Sequence, residues 1–175
     1  MRKIRLATVW LDGCSGCHMS LLDVDERIIE FANRIEVLYS PLVDRKEFPD
    51  SVDLTLVEGA IASDEDLHRI HLIRERSKVL VALGDCAVTG NISGMRNSYP
   101  VNAVLQRAYA ENAGTRNGLP QRGLPVLLQR CRPLHEVVPV DLHVPGCPPR
   151  ADLIYAVLKA ILEGHLPQNI HTRFG

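Results

Sequence analysis

Leu11-Asp12-Gly13-Cys14-Ser15-Gly16-Cys17-His18 follows the first apolar run of the chain. Two cysteines separated by two residues, with a glycine on either side of Cys14, are poor packing material and good metal-ligand material. A tight Cys-x-x-Cys turn aims two sulfurs at one point, and the glycines let the backbone approach whatever sits there. Immediately before it, Ile4-Arg5-Leu6-Ala7-Thr8-Val9-Trp10 is rich in β formers and reads as a strand. Behind it, Ser20-Leu21-Leu22-Asp23 is a helix-start signal, with Leu21, Val24, Ile28, Phe31 and Ile35 as a helical stripe. Strand, cysteine turn and helix form one βα unit with the thiols at its corner.

Outward from this unit the same alternation continues. Glu36 to Tyr39 predicts a second strand, and Val52 to Val57 a third that is nearly all apolar, as a strand covered on both faces is. Ser63-Asp64-Glu65-Asp66 opens a helix carrying Leu67, Ile70 and Ile73, and Lys78 to Leu83 is a fourth strand ending at Gly84-Asp85-Cys86. A Gly- and Asn-rich loop, Thr89 to Gly94, precedes a short helical pattern of Val101, Val104, Leu105 and Ala108. From Glu111 to Pro125 the chain turns polar and irregular. Val137 to Val144 is expected as the fifth strand, ending in Pro145-Gly146-Cys147-Pro148-Pro149. A last helix from Arg150 carries Leu153, Ile154, Val157, Leu158, Ile161 and Leu162, with Gly164 as its C-cap. Strands alternating with helices predict an α/β fold, a doubly wound parallel sheet forming one domain over residues 1–175. In such sheets ligands sit outside the carboxyl ends of the strands. Cys14, Cys17, Cys86 and Cys147 all fall just past a predicted strand end.

Composition narrows the partners. The chain has 175 residues, 46% apolar and 23% charged, with a formal net charge of −1. That balance gives no electrostatic reason to expect nucleic acid or an anionic membrane. No apolar run approaches the roughly 18 residues of a membrane span, and the N-terminal apolar run is too short for a signal peptide. A cytoplasmic protein is expected, in which five cysteines serve as ligands or redox groups and not as disulfides.

Four converging thiols suit zinc or an iron–sulfur cluster. Structural zinc usually takes two paired knuckles, whereas here one pair is followed by two isolated cysteines. Scattered ligands on the functional edge of a preformed sheet favour a cofactor site, a [4Fe-4S] cluster, over a zinc staple or over thiols buried as small apolar side chains.

At this point the motifs become specific. Leu11 to Cys17, Val57-Glu58-Gly59-Ala60-Ile61, Ala82-Leu83-Gly84-Asp85-Cys86-Ala87 and Leu142-His143-Val144-Pro145-Gly146-Cys147-Pro148-Pro149 resemble, in order and spacing, the small subunit of [NiFe] hydrogenases. The resemblance implies a flavodoxin-like domain in which Cys14, Cys17, Cys86 and Cys147 hold one proximal [4Fe-4S] cluster. It also implies a separate large subunit that carries the Ni–Fe site, so no catalytic residue is expected on this chain. Gly90 to Asn97 and Pro133 to Asp141 are similar to the soluble, bidirectional NAD-reducing type. The lack of a twin-arginine leader and of a C-terminal cysteine- and histidine-rich region leads to the same expectation. Diaphorase subunits with further clusters and FMN are the implied partners. FMN on this chain itself is not expected, because the first βα loop, which cradles phosphate in flavodoxins, here carries Cys14 and Cys17. The related cluster subunit of respiratory complex I is the alternative, but its first two ligands are adjacent cysteines. A zinc-stapled interaction module is the other.

The remaining candidates have plainer readings. Cys131 lies outside every motif and reads as a free thiol. His18 reads as a helix-start or surface histidine, and Trp10 as packing. His68 and His71 read as a solvated helix face, and Asp64 to Asp66 as a helix N-terminus. Glu58, at a strand end on the functional edge, reads as orienting a loop or moving protons near the large-subunit contact.

Overall fold

A computed structural model describes residues 2–111, 119, 122–167 and 170. Strand β1 (Ile4–Trp10) leads into helix α1 (Gly16–Leu22), a 3-10 helix (Asp25–Phe31) and β2 (Ile35–Tyr39). Strand β3 (Val52–Glu58) and the short β4 (Ile61–Ser63) precede helix α2 (Asp64–Arg76) and β5 (Ser77–Leu83). Helices α3 (Asp85–Thr89) and α4 (Asn91–Gly94), a 3-10 turn (Met95–Ser98), α5 (Val101–Gln106) and a π turn (Arg107–Glu111) follow. The chain closes with β6 (Leu127–Arg132), a 3-10 turn (Leu134–Glu136), β7 (Leu142–Val144) and α6 (Ala151–Leu162).

Five strands form one sheet in the order β2-β1-β3-β5-β7, and every neighbouring pair is parallel. Counting only those strands, this is the 2-1-3-4-5 order of flavodoxin-like sheets, with the strand order reversing between β1 and β3. The alternation of side chains supplies both faces. Leu54, Leu56, Val81 and Leu83 face one way and meet Leu21, Phe31, Ile154, Val157 and Leu158 from the α1 and α6 side. Val57, Leu80 and Ala82 face the other way and meet Ile70, Ile73, Ala87 and Leu134 from the α2 and α3 side. The doubly wound α/β sheet expected from the sequence is therefore the one present.

Local chemistry explains the ends. Ser63 and Asp66 close a full capping box on α2. Gly164, with φ 91°, ends α6 in a Schellman motif: its N–H donates to Ile161 O and the His165 N–H to Ala160 O. Two expectations fail. The first helix begins at Gly16 and not at Ser20, and it stops at Leu22. Asp25 has φ 58°, and this left-handed turn rotates the stripe so that Ile28 becomes 43% exposed. The fifth strand is only Leu142–Val144. Pro139 brings no N–H, and the Asp141 carboxylate takes the Leu80 N–H at 2.7 Å while also pairing with Arg74. An antiparallel pair, β4 with β6, lies outside the main sheet. The irregular excursion expected over 111–125 falls largely outside the described residues.

Asp53 anchors the amino end of the sheet. Its carboxylate accepts the Arg5 backbone N–H at 3.0 Å and Nε–H at 3.2 Å, with Lys78 Nζ at 2.9 Å. Burial pushes this carboxyl up, but the hydrogen bonds from Lys78 and Arg5 outweigh it and hold the group far below the usual carboxylate range. A carboxyl depressed in the folded state stabilises above its unfolded value near 4 and loses that contribution as pH falls further. Asp53→Asn is expected to cost about 1–3 kcal/mol near neutral pH. In urea unfolding curves the gap between variant and parent should close progressively below about pH 4.

Candidate metal centre at the carboxyl edge

The four cysteines singled out from the sequence lie beyond the carboxyl ends of three strands: Cys14 and Cys17 past β1, Cys86 past β5, and Cys147 past β7. Glu58 ends β3 between them. Cys14 and Cys147 are exposed, Cys86 is half-buried and Cys17 is buried. Each element places its sulfur for a local reason. Ser15 takes a left-handed conformation (φ 65°) that turns the chain from Cys14 into α1, and the Gly16 N–H donates to Cys14 Sγ at 3.4 Å. Gly84 (φ 85°) breaks β5 into α3, and a Cβ there would stand 2.2 Å from Cys17 Sγ. The absence of a side chain at 84 is what lets the β1 loop meet the β5 loop.

Cross-loop hydrogen bonds hold these turns together. Asp12 and Ala60 exchange backbone bonds at 3.1 and 2.8 Å, fastening the cysteine loop to the segment after β3. Ser20 Oγ donates to Pro149 O, tying α1 to the Cys147 loop. Asn91 Nδ2 donates to Cys147 Sγ at 3.3 Å, and Ser93 Oγ to Asp12 O at 2.9 Å. Asn91 and Ser93 were legible in the sequence only as loop residues, since nothing local says which sulfur or carbonyl an amide or hydroxyl will reach.

The electrostatics bring all four thiols into one field. Burial pushes the Cys17 thiol well above its ordinary range, and Glu58, Cys14, Cys86 and Cys147 push it further. Burial also raises Cys86, opposed by the backbone N–H groups of Ser93 and Ile92 and assisted by Cys147 and Cys14. Thiolates so placed repel one another, and a bound cation reverses that balance. Among the described residues no three His, Cys, Asp or Glu side chains are gathered closely enough for a single metal ion.

Other candidates separate cleanly. His18 is in the first turn of α1, but it is 5% exposed and not a surface histidine. Its Nδ1 lies 2.5 Å from Glu58 Oε2, the same oxygen that accepts its backbone N–H at 2.9 Å. Glu58 is 1% exposed and so fixes the start of α1, the loop-orienting half of its sequence reading. Cys131 is a free thiol on β6, packed with Ala60 and Ala62, and burial pushes it up to about 11. His68 and His71 are exposed on α2. Trp10 is 42% exposed, and its Nε1–H donates to Gly13 O. No described helix is long and apolar enough to cross a membrane.

Comparison with known proteins places this edge in a family context. The family described as NADH ubiquinone oxidoreductase, 20 Kd subunit matches residues 14–161. A subunit of the F420-non-reducing hydrogenase vhu of Methanocaldococcus jannaschii is 37% identical over 94% of this chain and 58% of its own length. The NAD-reducing hydrogenase HoxS subunit delta of Cupriavidus necator is 36% identical over 97% of this chain and 85% of its own. A crystal structure of an NAD+-reducing [NiFe]-hydrogenase in the H2-reduced state superposes with a TM-score of 0.91 at 37% identity, covering 96% of each chain. The chain spans little more than half the length of the methanogen relatives.

Gly84→Ala tests the close approach of the loops. Positive φ and the clash with Cys17 Sγ together should cost about 2–4 kcal/mol in urea unfolding. Gly123→Ala supplies the control: Gly123 has φ 73° but nothing within 4 Å of an added Cβ, so its cost should stay near 1–2 kcal/mol.

Proposed function

Because the chain belongs to the family of the NADH ubiquinone oxidoreductase 20 Kd subunit, and to the hydrogenase small subunits within it, we propose that it is the electron-transferring subunit of a hydrogenase. In this reading Cys14, Cys17, Cys86 and Cys147 hold one [4Fe-4S] cluster. The observation that carries it is the meeting of the three strand-end loops that bear the four thiols: Cys17 Sγ lies against Gly84 of the Cys86 loop, Ser20 of α1 bonds Pro149 of the Cys147 loop, and Asn91 bonds Cys147 Sγ.

The residues present fit such a group. All four donors are thiols, the ligand type iron–sulfur clusters take. At Gly84 the place a Cβ would take is occupied by Cys17 Sγ, which brings that sulfur against the loop carrying Cys86. The N–H groups of Ile92 and Ser93 toward Cys86, and the Asn91 amide on Cys147, are donors of the kind that stabilise charge on ligating sulfur. When bound, the cluster accepts and passes on single electrons, with a potential set by charge, hydrogen bonds to sulfur and exposure.

The chain's own residues then do three things. The cysteines hold the group at the carboxyl edge; Asn91 and the backbone of Ile92 and Ser93 temper the charge on sulfur; Glu58 and His18 fix the helix that carries Cys17. Bond-breaking at dihydrogen belongs to a Ni–Fe large subunit, and diaphorase subunits carry electrons onward to NAD in the cytoplasm. The NAD-linked reading is supported by the likeness to the NAD-reducing hydrogenase subunit and to the NAD+-reducing [NiFe]-hydrogenase structure, which superposes with a TM-score of 0.91. A hydrogenase of the F420-non-reducing kind is the second reading, supported by relatives of similar identity.

Purified anaerobically with its co-expressed neighbours, the chain should be brown, carry about four irons and show a reducible spectrum. Cys14→Ser, Cys17→Ser, Cys86→Ser or Cys147→Ser should each reduce iron content and abolish hydrogen-dependent NAD reduction, whereas Cys131→Ser should alter neither. A colourless chain with one tightly held zinc would end this reading.

A further inference from the structure

The loops carrying Cys86 and Cys147 come from different strands, β5 and β7, and the way they meet assigns a role to the residue beside Cys86. Asp85 carries a polar side chain yet is only 7% exposed. Its Oδ1 accepts the Gly146 N–H at 2.6 Å, and its own N–H donates to Gly146 O at 2.9 Å. One register earlier, the Gly84 N–H donates to Val144 O at 2.8 Å. The Asp85 pair therefore continues the β5–β7 ladder past the point where both strands have ended. Gly146 has φ 137°, and a Cβ there would stand 2.6 Å from Pro149 Cα, so the loop adopts this shape through its backbone alone. A peptide N–H buried in such a turn needs an acceptor, and the side chain at 85 supplies it.

We propose that Asp85 is a positioning residue for the cluster site. Its carboxylate locks the Cys147 loop onto the Cys86 loop, so that the two sulfurs are already in place when the cluster arrives. Asp85 ligates nothing itself. This rests on the cluster reading above, but the lock is a property of the protein backbone and can be tested apart from it.

The test uses the complex as purified and compares Asp85→Ala, Asp85→Asn and Cys147→Ser with the parent. Iron per chain, the electron paramagnetic resonance spectrum of the reduced cluster, and hydrogen exchange of the peptide spanning Gly146 are measured together. Asn keeps an acceptor oxygen in the same place, and Ala removes it. Asp85→Ala should speed exchange of the Gly146 peptide about tenfold and lower iron several-fold, while Asp85→Asn restores both and the parental spectrum. Cys147→Ser, which removes a sulfur but keeps the hydrogen bond, should leave that peptide largely protected. If Asp85→Ala does not accumulate folded, Asp85→Ser, too short to reach Gly146, replaces it. Asp85→Asn exchanging as fast as Asp85→Ala, Cys147→Ser losing as much protection, or Asp85→Ala keeping full iron and the parental spectrum would each overturn the proposal. Full iron in Cys147→Ser would instead refute the ligand assignment, while the exchange contrast between Asp85→Ala and Asp85→Asn still decides whether the carboxylate locks the loops.

Discussion

The contact between Gly84 and Cys17 is the constraint on which the functional edge depends. β1 and β5 are not neighbours; β3 lies between them. For a sulfur from the β1 loop to reach the β5 loop, the chain must pass over the end of β3, and it does so where a Cβ would stand 2.2 Å from Cys17 Sγ. The end of β3 is built for that passage. Glu58 accepts the His18 N–H from beneath, and Gly59, with φ 93°, lets Ala60 pair with Asp12. The site thus spans the point at which the strand order reverses, where open α/β sheets leave room for a ligand.

Burial divides the four thiols unequally. Cys17 sits inside, repelled by Glu58 and by the other cysteines, while Cys14 and Cys147 are exposed. The inner thiol is held by packing and by the fixed start of α1. The outer ones are held by hydrogen bonds: Gly16 N–H to Cys14 within its own turn, and Asn91 to Cys147 across from another loop. Rigidity at the exposed side therefore comes from polar contacts of the loops and not from the core, which ends with Leu83 and Val144.

What was legible in the sequence follows the same division. β3 and β5 are buried on both faces, so their nearly continuous apolar runs marked them, while β1 was marked by its β formers. With β1 and β5 came the strand-end placement of Cys14, Cys17 and Cys86, and with the expected fifth strand that of Cys147. β6 was not legible, because Leu127–Arg132 carries two arginines and a glutamine on a two-stranded edge where one face is solvated. β7 was overextended because Val137, Val138 and Val140 look like strand; yet Val138 packs under a 3-10 turn against the α2 side, and Asp141 replaces a ladder partner with its side chain. The hydrogen bonds of Asp85, Asn91 and His18 were illegible for a common reason: each reaches a residue tens of positions away, and only the assembled sheet decides which one.

The opening Cys-x-x-Cys turn also shows why a phosphate-bearing flavin is a poor fit at the corner where flavodoxin-like sheets bind one. A phosphate there is held by free backbone amides at the start of the first helix. In this chain the Gly16 amide is directed at Cys14 Sγ and the His18 amide at the buried Glu58 carboxylate. An anion placed at that corner would have to displace a carboxylate that is 1% exposed and already pairs with His18. The fold's usual anion site has been filled from within by a side chain of β3, and the cysteine exposed at this turn is Cys14.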